Sequence, residues 1–115
     1  MAEVIWKEDV FALRKYVLFY GSLKFGESSA NKLNGKFKEY SRLLESCPRL
    51  GKRIEVEGLE QHEIRSVLVH ECYRLYYVIE SNAESEVVRI IDLIDTRSNP
   101  ETLPERLKNA VGNKV

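Results

Sequence analysis

The sequence predicts an α+β fold: a single antiparallel sheet of about four strands with two N-terminal helices packed on one face. Three observations carry this. An apolar seam of helical period runs from Ala30 to Cys47. Two runs rich in β-branched and aromatic residues, Tyr73 to Ile79 and Val87 to Ile94, follow it across a short polar break at 81–85. The helical patterns all precede the main strands, which is the order of an α+β design rather than of alternating βαβ units.

Glu3-Val4-Ile5-Trp6 is a short first strand. A helix is expected from about Glu8 to Phe19, with acids at its start to complement the helix dipole. Val10, Leu13, Val17 and Tyr20 recur at helical spacing, and Gly21 and Gly26 bracket the turn that follows. In the second helix, Ser28 or Ser29 is a suitable cap. Ala30, Leu33, Phe37, Tyr40, Leu44 and Cys47 then fall at intervals of 3, 4, 3, 4 and 3, which lays one stripe along the helix. Lys32, Lys36, Lys38, Glu39 and Arg42 lie off that stripe. Gly35 costs about 1 kcal/mol relative to Ala. Cys47-Pro48 ends the helix, because the residue before a proline avoids helical geometry. Ile54 and Val56 suggest a short extension before Gly58. Ile64 to Val69 is the second strand, and His70-Glu71 the tip of a hairpin to the third. Short connections make these strands antiparallel neighbours. Pro104 to Val111 fits one short helix in a peripheral segment spanning 98–115.

The chain has 115 residues and 43% hydrophobic content, enough for one domain with one core. No apolar run approaches the ~18 residues that span a bilayer. The N-terminus has no basic region and no signal-like segment, so a cytoplasmic location is expected. Cys47 and Cys72 are far apart and read as reduced thiols. They do not combine with His62 and His70 into a zinc spacing, and no cofactor is implied.

Eighteen basic residues balance eighteen acidic ones. Residues 49–97 hold 7 basic and 10 acidic groups, residues 1–48 hold 8 and 6, and residues 98–115 hold 3 and 2. A broad grip on nucleic acid needs a basic stripe. Here any such contact rests on a few placed arginines.

Alternation along the third strand puts Tyr73, Leu75, Tyr77 and Ile79 on the face toward the helices, and Arg74, Tyr76, Val78 and Glu80 on the other. Neither face of the fourth strand is cleanly polar, which suggests a bulge or a partly covered second face. Pairing about the hairpin midpoints sets Arg74 opposite Leu93 and Val69, Arg97 opposite His70, and Arg65 opposite Val78. Arg74, Arg97 and His70 then gather at one end of the sheet. These arginines either pair with Asp95, Asp92, Glu63 and Glu80 or form an anion site on the face away from the helices. His62 and His70 are exposed polar residues, or His70 serves as a general acid–base. No phosphate loop, nucleophile motif or HExxH is present.

Several segments, in order, resemble the RelE/ParE superfamily of bacterial toxin–antitoxin systems: Val4-Ile5-Trp6; Leu43-Leu44-Glu45-Ser46-Cys47-Pro48 with Gly51; Arg65-Ser66-Val67-Leu68-Val69; Tyr73-Arg74-Leu75-Tyr76-Tyr77; and Asp95-Thr96-Arg97-Ser98-Asn99-Pro100. The resemblance covers residues 3–103. It implies a small toxin neutralised by a cognate antitoxin laid along its helices and sheet edge, with self-dimerisation when antitoxin is absent. RelE-like members cut mRNA on the ribosome, and Arg74 and Arg97 match their cationic residues. This chain departs from them: no tyrosine or histidine follows Arg97, Leu103 stands in that place, and the second strand offers Glu63 and Arg65 instead of several lysines. ParE-like members lack the ribonuclease residues and poison DNA gyrase. The spacing from Arg65 to Tyr73 and the closing Asp-Thr-Arg-Ser-Asn-Pro match that side better. Under this resemblance, Arg65, His70, Arg74, Tyr76 and Arg97 are the expected target- or partner-binding residues, and Arg74 and Arg97 are catalytic only in a ribonuclease. A non-toxic interaction module of the same fold is the remaining alternative.

Overall fold

The computed structural model describes residues 1–112; the last three residues of the predicted C-terminal segment lie outside them. The architecture is α+β as expected: β1 (Glu3–Trp6), α1 (Glu8–Phe25), α2 (Glu27–Ser46), β2 (Lys52–Ile54), β3 (Glu63–His70), β4 (Tyr73–Ser81), β5 (Glu86–Asp95) and α3 (Leu103–Gly112). The sheet has five strands in the order β1-β5-β4-β3-β2. Strands β2 to β5 are antiparallel, but β1 enters beside β5 in parallel, with Glu3 opposite Val87 and Trp6 opposite Ile90. The sheet is therefore mixed.

The first helix is longer than its pattern suggested. It runs through Gly21 and stops at Gly26, whose φ of 92° is the left-handed geometry glycine adopts without strain. That one residue both closes α1 and precedes α2, so no serine side chain caps the second helix. The turn between β3 and β4 is Glu71-Cys72, with Glu71 at φ 44°; His70 is the last residue of β3. The predicted registers of Arg74 and Arg65 are one residue off, with Arg74 opposite Leu68 and Ile94 and Arg65 opposite Tyr77; the predicted pairing of Arg97 with His70 does not form, because Arg97 lies beyond the end of β5.

Both faces of the sheet are covered. Leu75, Tyr77 and Ile79 pack with Val88, Ile90 and Leu93 against Val10, Leu33, Phe37 and Leu44 of the helical hairpin. On the other face Ile64, Tyr76, Val78 and Ile91 pack under Leu107, Ala110 and Val111 of α3. The register of β5 shifts between Asp92 and Ile90. The extra residue, Ile91, turns to the α3 face, which is why neither face of that strand read as polar.

Three devices tie helices and strands together. Trp6 donates from Nε1 to Ser41 Oγ at 3.0 Å and meets Phe37 edge-on at 5.9 Å. Arg14 is buried beside Trp6, Phe11 and Phe37, its guanidinium carbon 4.7 Å, 5.7 Å and 5.3 Å from their ring centroids. It donates to Asn34 Oδ1 at 2.9 Å, and burial pulls its pKa down. Tyr77 is fully buried; its hydroxyl donates to Pro48 O and accepts from Gly51 N–H, both at 2.8 Å. This pins the end of α2 to the sheet.

Candidate functional site

Two adjoining concavities lie at one end of the sheet, with Ile94, Asp95, Ser98 and Arg106 lining both. The larger, about 860 Å³, lies between the C-terminal half of α1, the start of α2, the β3–β4 turn and the end of β5. Its floor is apolar: Leu13, Val17, Leu33, Tyr73 and Leu93. Tyr16 and Tyr20 stack one turn apart at 6.2 Å, as neighbours at i and i+4 do. Lys24 Nζ sits 5.3 Å from the Tyr20 centroid. Lys24, Lys32 and Arg97 stand around the groove with Glu71 and Asp95, and His70 lines it from the sheet.

Arg97 grips Asp95 from two residues away. Its Nε and Nη2 donate at 2.9 Å and 2.6 Å, and its backbone N–H adds a third bond at 2.9 Å. These bonds hold the Asp95 carboxyl down at about 2 and raise the arginine's own pKa. Burial, then the neighbouring Asp95 charge, pushes the Cys72 thiol up, and burial does the same to the Tyr73 phenol. A guanidinium clamped in this way is already neutralised, so Arg97 adds a fixed dipole to the groove more than a free cation.

The smaller concavity, about 310 Å³, lies under the 96–106 segment on the α3 face, lined by Arg74, Tyr76, Ser98, Asn99, Thr102 and Arg106. Arg106 donates to both oxygens of the buried Asp92, at 2.9 Å and 2.7 Å. Arg74 donates to Ser66 Oγ at 3.0 Å and, among the described residues, meets no carboxylate. Asp95 also lines this pocket but does not reach Arg74, so the half-buried guanidinium stands among hydroxyls with no direct ion-pair partner among the described residues, which suits it to an anion. Burial keeps Tyr76 protonated to higher pH than an ordinary phenol.

The expected residues are thus divided. Arg97 and His70 line the helix-side groove, while Arg74 and Tyr76 line the adjoining smaller pocket. Arg65 is on the helix side, away from both, its donors taken by Glu63 Oε2 at 2.8 Å and Gly51 O at 2.7 Å. The ion-pair alternative describes Arg65, Arg89 with Glu80, and Arg97; it does not describe Arg74. The sequence reading passed over Arg106, whose partner Asp92 it had assigned to other arginines. It also passed over Tyr16, Lys24 and Lys32. The available signal was α1 itself, in which Phe11, Phe19, Leu23 and Phe25 lie off the predicted stripe. Among the described residues no group of three His, Cys, Asp or Glu side chains converges to hold a metal ion, and no helix is long and apolar enough to cross a membrane. No protein-family model matches the sequence, and no curated protein matches it.

Proposed function

We propose that the chain is the toxin of a type II toxin–antitoxin pair, ParE-like in action: a protein that binds and inhibits a cellular target, with DNA gyrase the first candidate, and that an antitoxin segment holds inactive. The observation that carries this reading is the helix-side groove. Its apolar floor and its lysines suit an amphipathic peptide with acidic flanks, which would gain order as it docks. The ordered resemblance of residues 3–103 to the RelE/ParE superfamily supports the same reading. So does the state of Arg97, whose guanidinium is already engaged by Asp95.

The test is induction of the chain alone in a bacterial host, scored for DNA replication and for translation. Replication arrest, with loss of supercoiling activity when purified chain is added to gyrase, is the expected result. Unimpaired growth at high expression would refute a toxin role and leave the non-toxic interaction module.

A second reading is a ribosome-dependent mRNA endonuclease, favoured by one observation: Arg74, in no ion pair among the described residues, beside Tyr76 in a pocket lined by several hydroxyls. Cleavage of a ribose–phosphate backbone needs a cation at the developing phosphorane charge. On this reading Arg74→Ala lowers cleavage by about two orders of magnitude or more with an unchanged melting temperature. Intact transcripts in a translating extract containing the wild-type chain would exclude it.

A further inference from the structure

The smaller concavity holds hydrogen-bond donors that the fold leaves unused. Tyr76 lines it and is only 8% exposed, yet its hydroxyl meets no hydrogen-bond partner among the described residues. A buried tyrosine hydroxyl normally finds one. Burial keeps this phenol protonated, so it stands ready as a donor. Arg74, two residues earlier on the same face of β4, uses one N–H on Ser66 Oγ at 3.0 Å and keeps the rest of its fork. Asn99 accepts from the Glu101 N–H at 3.0 Å through Oδ1, which leaves its amide N–H groups at the pocket. The other hydroxyls are already turned to the backbone. Ser98 donates to Asp95 O at 2.6 Å, and Thr102 to Asn99 O at 3.0 Å.

The surrounding charge sets the charge of the ligand. Arg74, Asp95 and Arg106 are the ionised side chains on the pocket wall. Arg106 is neutralised by Asp92 at 2.7 Å, and Asp95 by Arg97 at 2.6 Å. Arg74 is left as the one cation without an ion pair among the described residues, and it suits a single negative charge. A phosphate monoester, close to doubly ionised at neutral pH, would set its surplus charge beside Asp95. A phosphodiester is singly charged but brings two polar groups against an apolar wall. That wall is Ile94, Pro100 and Leu103. A carboxylate offers two oxygens in one plane, which matches the planar guanidinium. The volume, about 310 Å³, is at the small end of ligand sites.

We infer that this pocket binds a carboxylate that carries an aliphatic group. Its oxygens accept from Arg74, Tyr76 and Asn99, and its chain lies along Ile94, Pro100 and Leu103. Two sources share that chemistry: the C-terminal residue of a peptide, and a free short-chain aliphatic acid. The inference does not rest on the toxin reading. It competes with the nuclease reading for Arg74, because a phosphodiester is a different occupant of the same guanidinium.

The experiment is titration of the purified chain, followed through the Arg74 Nε–H and Tyr76 amide signals in nitrogen–proton NMR. The probes are 4-methylpentanoate for the free acid, N-acetyl-leucine for the peptide terminus, N-acetyl-leucine amide as the uncharged control, and dimethyl phosphate for the diester. At least one acid is expected to bind with a Kd of about 1 mM or below, and the tighter of the two names the source. The amide and dimethyl phosphate should each bind at least about tenfold more weakly. Arg74→Ala should weaken the acid by at least about 30-fold and Tyr76→Phe by about fivefold. Lys24→Ala, which lines the larger groove alone, should leave it unchanged. Melting curves check each fold. Should Arg74→Ala unfold, Arg74→Lys keeps the charge without the planar fork and should still cost about tenfold. No shift of either signal with both acids up to about 50 mM overturns the inference. So does dimethyl phosphate binding as tightly as the acids, or an arginine variant that loses no more than Lys24→Ala.

Discussion

Removing one oxygen atom tests the hinge on which the helix layer is hung. Tyr77→Phe keeps the ring that fills the core and deletes the hydroxyl that bridges Pro48 O and Gly51 N–H at 2.8 Å each. Tyr77 has no exposed surface, and the space vacated is smaller than the ~10–15 Å³ a water requires. One backbone donor is therefore orphaned in the interior, at about 1–3 kcal/mol, and the acceptor loses a partner as well. We expect a loss of about 2 kcal/mol, or about 8 °C in melting temperature for a chain of this size. The assay is urea titration followed by tyrosine-independent circular dichroism. A midpoint shift worth less than about 0.5 kcal/mol, with an unchanged slope, would refute the reasoning, because it would mean the loop is not held from the sheet. Gly51→Ala probes the same contact from the other side. A Cβ there would sit 2.5 Å from Ser66 O and 2.7 Å from the Tyr77 hydroxyl. The Tyr77→Phe background relieves only the second clash, so it should not rescue Gly51→Ala; full rescue would mean that Ser66 O moves freely.

Other outcomes are as specific. The Asp95 carboxyl should titrate near 2 by carbon-detected NMR, and return toward the ordinary aspartate value in Arg97→Ala. Because its folded pKa is depressed, its stabilising contribution is present above the unfolded value of ~3.9 and fades as pH falls toward 2; stability should therefore fall less steeply between pH 5 and 2 in Arg97→Ala than in wild type, and identical slopes would refute it. The tyrosines shift the other way. Burial raises Tyr76 and Tyr77, so the folded state holds those protons longer and stability should fall as pH rises above ~10. Tyr76→Phe should flatten that decline, and an unchanged slope would argue against the buried phenol. Arg106→Ala leaves the Asp92 carboxylate, 8% exposed, with only the Leu93 N–H among the described residues. Arg106 itself is 48% exposed, so the buried-pair cost is discounted to about 2 kcal/mol. Adding Asp92→Asn should recover part of it in a double-mutant cycle.

The sequence disclosed periodicity better than placement. The seam of α2 was visible because Leu33, Phe37 and Leu44 repeat at helical spacing and are indeed its buried residues. The faces of β4 were visible for the same reason, through strict alternation. β1 was visible as a strand but not as a parallel one, since four residues carry no information about their neighbour. The extension of α1 past Gly21 was hidden because a Cβ at Gly21 would meet nothing; the glycine is only tolerated there and stops nothing. The candidate sites were the least legible. Whether Arg74 and Arg97 share a surface depends on where the strand ends and on registers that shift at Leu68–His70 and at Ile91, and a one-residue slip moves a side chain to the opposite face.

The parallel entry of β1 has a consequence for how the molecule is assembled. Glu3 pairs with Val87 and Trp6 with Ile90, 84 positions apart in both cases. The first strand to leave the ribosome is the last that can find its neighbour. The α1–α2 hairpin closes from local contacts, but Trp6, which stands against Phe37 and Ser41, cannot be locked by the sheet until β5 has emerged. Pairing over such a separation slows folding, and it delays completion of the groove and the α1 face alike until almost the whole chain has been synthesised.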